Sequence, residues 1–192
     1  MSILEIIYWA AMVVEIVIRA PVSKKQRKES KSERRVNSLE KVLVGMLSLS
    51  MLILPLIYSA TPWLDFANYS LPTWAGWLGV ALMLLALFIF WRAHADLGPN
   101  WSPSLEIRTG HKLITNGIFG YIRHPMYASA WIWAIAQPLL LQNWVAGFLN
   151  LLVFILFYSL RVRAEEKMML DTIGDKYREY MNKTGAVFPK GK

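Results

Sequence analysis

Residues 124–160 read HPMYASAWIWAIAQPLLLQNWVAGFLNLLVFILFYSL, a run without a single Asp, Glu, Lys or Arg. A helix needs roughly 20 apolar residues to cross about 30 Å of hydrocarbon. The run is therefore too long for one crossing and barely long enough for two. Its interruption is Gln142-Asn143-Trp144, which predicts a tight helical hairpin with two short arms. Such arms cross with little tilt or only just reach the far side.

Working outward, three more segments are apolar enough to be membrane helices. Ile3 to Ile18 is interrupted only by Glu5 and Glu15, with Arg19 one turn beyond Glu15. Val42 to Ala60 is uncharged, with Pro55 as a kink of the kind that bundles tolerate. Thr73 to Trp91 is also uncharged, and it can extend to Leu97 before the helix-stopping Gly98-Pro99. The expected fold is thus all-α, a polytopic membrane protein of about five transmembrane helices. Residues 1–92 hold three N-terminal spans, and 93–192 hold a polar loop (93–123), the hairpin (124–160) and a C-terminal helix (161–192). Composition agrees: the 192 residues are 55% hydrophobic and 18% charged, with 9 Trp, 8 Tyr and mean hydropathy +0.34. Soluble domains are nearer a quarter charged, and Trp and Tyr gather at bilayer interfaces.

Charge sets the expected orientation. The net charge is +8, and nine Lys or Arg against three Glu fall in 19–41, between the first two apolar segments. Cations in blocks beside apolar runs point to topogenesis and anionic membrane lipids rather than nucleic acid. The loop 61–72 carries one charge, Asp65, whereas the stretch from Arg92 to Arg123 and the tail from Arg161 are rich in them. The positive-inside rule then puts the basic loop, the 92–123 loop and the tail in the cytoplasm and the N-terminus outside. The first segment reads as a retained helix, since its positive charge follows rather than precedes it. Without cysteine there is no thiolate nucleophile, and three His without ligand spacing argue against a metal site.

The polar chemistry is concentrated in two places. In 91–127, turns at Asn100-Trp101-Ser102, Gly110, Asn116-Gly117 and Gly120 precede a helix that starts near Pro125. Arg123 and His124 flank that helix N-terminus, where free backbone N–H groups favour an anion. In 161–183, Met168, Met169, Ile173, Tyr177 and Tyr180 form a stripe, so the tail reads as a helix on the membrane surface or docked on the loops. Spacing alone makes Glu165-Glu166 a solvated face with ordinary helical pairs. A cationic pair, an acidic pair and several aromatics fit a pocket between loop and tail, but spacing does not name a reaction.

Two runs carry a resemblance: LGPNWSPSLEIRTGHKLITNGIFGYIRHPMYAS (97–129) and RVRAEEKMMLDTIGDKYREY (161–180). Their order resembles the isoprenylcysteine carboxyl methyltransferase family, membrane enzymes that use S-adenosylmethionine and are related to phospholipid N-methyltransferases. The likeness spans about 93–189. It implies a cofactor shell of His94, Leu97, Gly98, Asn100, Trp101 and His111 from the loop. Leu113, Tyr121, Arg123, His124, Pro125 and Tyr127 would continue it around the helix start, and Glu165 and Glu166 would complete it from the tail. The resemblance thereby reverses the plain reading of Glu165-Glu166. It further implies carboxyl O-methylation of a C-terminal isoprenylcysteine or similar lipid-like carboxylate. Arg123 and Arg161 or Arg163 would orient the acceptor, and Glu166 would orient an Arg or touch the cofactor. The acceptor's lipid tail would enter from the bilayer. Three rivals stay open: N-methylation of a lipid amine with His124 as base, an NADPH-dependent reductase of the sterol-reductase kind, and a non-enzymatic lipid-binding protein. The chain has fewer spans than the longer family members.

Overall fold

The computed structural model describes residues 1–29, 38–97 and 113–190, with backbone alone for 21–29. Among these residues there are five long helices, a short sixth and no strands. α1 is Ile3–Glu29, α2 Ser38–Ala60, α3 Thr73–Leu97, α4 Pro125–Leu141, α5 Trp144–Ile173 and α6 Asp175–Lys183. Three of them, α2, α3 and α5, are long and apolar enough to cross a membrane. α4 is only 17 residues, and α1 carries Glu5, Glu15 and Arg19. The all-helical membrane architecture stands, while length and hydropathy alone license three full crossings rather than five.

The hairpin forms where its polar triplet lies. Gln142 takes a left-handed conformation (φ 47°) and ends α4, and Asn143 starts α5 by accepting from the backbone N–H of Val145 (3.0 Å) and Ala146 (2.9 Å). Its Nδ2 donates to Leu64 O (2.7 Å) and Asn68 Oδ1 (2.9 Å), which ties the hairpin tip to the short turn Pro62–Ala67 after α2. Asn143 is fully buried. At the tip, an added Cβ on Gly147 would sit 2.7 Å from the backbone Cα of Pro138, so the two arms approach as closely as they do only because Gly147 has no side chain.

α3 packs against α4 through a stripe of small residues, Gly79, Ala86 and Ala93, one heptad apart and buried. A Cβ on Gly79 would come within 2.8 Å of Leu139 Cβ. Lipid is as apolar as leucine, so close backbone approach and buried hydrogen bonds, not hydrophobic contrast, select which membrane helices pair. The large residues point outward instead: Val13, Val17, Leu56, Leu84, Phe88 and Leu152 are all exposed on the bundle surface.

Pro55 acts as the sequence suggests. It lies just after a wide turn at Leu49–Ile53 and cannot donate to a preceding carbonyl. Neighbouring helices supply the missing donors, with Gln137 Nε2 donating to Ser50 O (3.0 Å) and the Tyr8 hydroxyl to Met51 O. Ser50 Oγ also donates to Asn150 Oδ1 (3.1 Å), so α2, α4 and α5 share a buried polar contact deep in the bundle.

The fifth helix corrects one expectation. No break occurs near Leu160; α5 runs on through the charged residues to Ile173, and only Gly174 (φ 67°) turns the chain into the short α6. The apolar portion of α5 ends at Leu160, and Arg161–Ile173 project from it as an unbroken rod. The tail is therefore an extension of a span, and its side chains keep the phase of the helix that precedes them.

Candidate active site

Four separate pieces of chain meet at the end of the bundle where α5 emerges. Ile122 pairs with Gly185 in an isolated parallel bridge, with Arg123 N donating to Gly185 O (2.8 Å) and His124 N to Ala186 O (2.9 Å). The segment after α6 thus holds the start of α4 in place. Tyr180 of α6 is buried and donates to Phe119 O (2.6 Å); burial pushes its phenol up to about 12, so it remains a donor throughout the ordinary pH range. Asp96, at the end of α3, pairs with Arg92 (2.8 Å) and accepts from Ile118 N (2.8 Å), beside Gly117, whose φ is 60°.

At the centre is Glu166. Its Oε1 accepts from Arg123 Nη2 (2.8 Å) and Nε (3.1 Å), and lies 3.1 Å from His124 Nε2. An ionised carboxylate only accepts, so the hydrogen between Glu166 and His124 sits on Nε2. The His124 bond first, and then Arg123, hold the Glu166 carboxyl down at about 2, although partial burial works in the opposite direction. Glu166 lies more than a turn beyond Leu160, outside the apolar portion of α5. Arg123 is also anchored at its other edge, with Nη1 donating to the carbonyls of Met181 (3.3 Å) and Thr184. Beside this cluster runs a second chain of contacts. Tyr127 donates to Glu165 Oε2 (2.6 Å) and accepts from Arg161 Nε (3.1 Å), and Arg161 Nη1 pairs with Glu40 Oε1 (2.7 Å).

Both chains border a cavity of about 580 Å³, within the usual range for small-molecule sites. Arg123, His124, Arg161 and Glu165 form its polar end, while Leu47, Phe90, Trp133, Phe154 and Phe157 provide apolar walls from α2 to α5. α1 adds Met12, Glu15 and Arg19. The geometry combines a charged end with a largely apolar chamber between the helices. Among the described residues, no group of three or more His, Cys, Asp or Glu is arranged to hold a metal.

The site residues expected from sequence fall into three groups. His94, Leu97, Leu113, Arg123, His124, Pro125, Tyr127, Arg161 and Glu165 all line the cavity, and Glu166 stands directly behind Arg123 and His124. Tyr121 and Arg163 do not join them: Tyr121 is 69% exposed and Arg163 is on the outer face of α5. Two residues along a helix rotate about 200°, so with Arg161 inward Arg163 must face out. Gly98, Asn100, Trp101 and His111 lie outside the described residues. Sequence reading missed Glu40, Asp96 and the α1 pair Glu15 and Arg19. Glu40 sits in a strongly basic stretch where an acid reads as a counter-charge, and nothing local shows that it reaches Arg161.

Comparison with known proteins matches residues 77–171 to the isoprenylcysteine carboxyl methyltransferase family. That stretch runs from α3 through the loop and hairpin to the far end of α5, and so carries Arg123, His124, Tyr127, Arg161, Glu165 and Glu166 together. Over residues 77–171 this chain is similar to that family. Protein-S-isoprenylcysteine O-methyltransferase of Schizosaccharomyces pombe is 39% identical over 79 residues, 41% of this chain and 34% of the relative. The Saccharomyces cerevisiae protein of the same name is 32% identical over 131 residues, 67% of this chain and 55% of the relative. The human one is 26% identical over 146 residues, 70% and 51%. The chain thus spans between a third and just over half the length of these relatives. A solved structure described as a eukaryotic intramembrane Ras methyltransferase, isoprenylcysteine carboxyl methyltransferase, shares the fold. Its TM-score is 0.63 at 23% identity, covering 95% of this chain and 64% of that one.

Proposed function

We propose that the protein is an integral-membrane, S-adenosylmethionine-dependent methyltransferase that esterifies the carboxylate of an isoprenylcysteine or a similar lipid-like acid. The observation that carries this is the Arg123–Glu166–His124 cluster at the edge of a cavity whose walls are mostly apolar. The names of the relatives support the same chemistry. In this reading the N-terminus is outside, the charged end of the bundle is cytoplasmic, and the acceptor's lipid tail comes from the bilayer.

The residues present suit the methyl donor. Its amino acid end offers an amine and a carboxylate, which match Glu165 and Arg123, and its ribose hydroxyls suit a carboxylate acceptor. Gly98, Asn100, Trp101 and His111 are proposed to complete this shell. The donor supplies an activated methyl group on a sulfonium. An acceptor carboxylate is ionised well below neutral pH and needs no base. Its oxygen bonds to the methyl carbon as the carbon–sulfur bond breaks and the electron pair leaves with sulfur, and no proton moves. The work left to the chain is alignment and exclusion of water. Arg123, gripped on two sides, holds a fixed guanidinium at the cavity edge, and Arg161 offers a second cation where the apolar walls begin.

The test is binding and transfer on the purified protein in lipid nanodiscs. S-adenosylhomocysteine should bind, and a farnesylcysteine acid should accept methyl. Failure to bind it together with tight NADPH binding refutes the methyltransferase. Transfer to phosphatidylethanolamine, with none to the acid, refutes the carboxylate acceptor in favour of a lipid amine.

A further inference from the structure

Arg161 is the first charged residue after the apolar part of α5, a place from which arginine ordinarily extends to water. Here its side chain is only 11% exposed and its guanidinium lies 5.4 Å from the Phe157 ring centroid. The group that turns it inward is Glu40, whose own side chain is 15% exposed and whose Oε1 lies 2.7 Å from Arg161 Nη1. Glu40 comes from the first turn of α2, 121 residues away and outside the stretch matched to the family. The contact also extends inward, since Arg161 Nε donates to Tyr127, which donates to Glu165. One carboxylate on α2 therefore fixes a cation, a phenol and a second carboxylate on the cavity wall.

We propose that Glu40 is a positioning residue that holds Arg161 toward the cavity as the anchor for the acceptor's carboxylate. The inference rests on the carboxyl-methylating reading above. It makes α2 part of the acceptor site, so acceptor selection depends on a helix outside the matched stretch. Without Glu40 the guanidinium loses the carboxylate on Nη1 and keeps Tyr127 on Nε, so its hold toward the cavity loosens, while the Arg123 cluster, built on Glu166 and the carbonyls of Met181 and Thr184, is untouched.

The test compares a farnesylcysteine acid with its methyl ester, which lacks the charge and carries one added methyl group, on the full chain in nanodiscs. E40Q should raise KM for the acid about tenfold, in line with losing one partner of a largely buried pair that keeps a second contact. Affinity for the ester and for S-adenosylhomocysteine should stay within about twofold, and E40D should recover part of the loss. A clamp that is merely structural predicts equal weakening of acid and ester, and either that result or an unchanged KM overturns the proposal. If E40Q does not fold, E40M fills the same volume without a charge and is read against the same two outcomes. A wild-type protein that binds ester and acid equally well contradicts the carboxylate reading itself, and the proposal falls with it. Equal loss in E40Q alone leaves that reading standing.

Discussion

Replacing Glu166 by Gln removes one charge and almost no volume, and the structure says what that should do. Glu166 Oε1 receives two nitrogens of Arg123 and one of His124, at 2.8–3.1 Å. Hydrogen bonds to charged groups contribute about 1.5–3 kcal/mol each, and breaking a buried ion pair costs about 3–5 kcal/mol. Two features reduce the figure: the Glu166 side chain is 21% exposed, and Arg123 keeps the carbonyls of Met181 and Thr184. Gln still accepts one hydrogen bond through its carbonyl. A net loss of about 3 kcal/mol is the reasonable expectation, equivalent to roughly 100-fold in affinity. Titration calorimetry of S-adenosylhomocysteine into the E166Q protein reads this directly, with thermal unfolding of the same sample as a check on the fold. Affinity within threefold of wild type, in a sample that still unfolds cooperatively, would refute the assignment of Glu166 to the centre of the site.

The remaining predictions use other parts of the same geometry. Arg123→Lys should lower kcat/KM by about 10- to 100-fold, because a lysine ammonium cannot span Glu166 and the Thr184 carbonyl as the planar guanidinium does; Arg163→Ala, on the outer face of α5, should stay within about twofold. Gly147→Ala places a methyl group 2.7 Å from backbone Cα of Pro138 and should destabilise by about 1–3 kcal/mol, seen as a lower unfolding midpoint in detergent. The pH dependence follows from the sign of the Glu166 shift. Its carboxyl is held at about 2 against an ordinary 4.5, so its stabilisation is fully present above 4.5 and is lost as the pH falls toward 2. The midpoint difference between wild type and E166Q should therefore shrink as the pH falls below about 4.5; a difference that grows as the pH falls from 4.5 toward 2 contradicts the ion pair.

Much of the fold was legible because the membrane imposes simple rules. A charge-free run too long for one helix, with Gln142-Asn143 near its middle, has few alternatives to a hairpin, and Asn143 caps α5 where the sequence places the turn. The end of α5 was misread because charge was taken as a boundary. Phe154, Phe157, Arg161, Glu165 and Met168 recur at helical spacing and all line the cavity, so the period runs through the charges without a break. The same period separates Arg161 from Arg163. Within the site, the sequence order around Arg123-His124-Pro125 and Glu165-Glu166 pointed, through family likeness, to residues that the fold brings together around one cavity, while spacing argued for a solvated face. The pairings themselves, Arg123 with Glu166 across 43 positions and Arg161 with Glu40 across 121, are products of tertiary packing that no local pattern contains.

The central claim is that this charged end of a membrane bundle transfers methyl to a lipid-like carboxylate. The most direct measurement supplies S-adenosylmethionine labelled in its methyl group to the reconstituted protein with farnesylcysteine acid and phosphatidylethanolamine together. The account predicts label in the farnesylcysteine, released as methanol by mild base, because a methyl ester hydrolyses there. Label that remains base-stable on the phospholipid amine, or no transfer by a protein that binds NADPH instead, would contradict it.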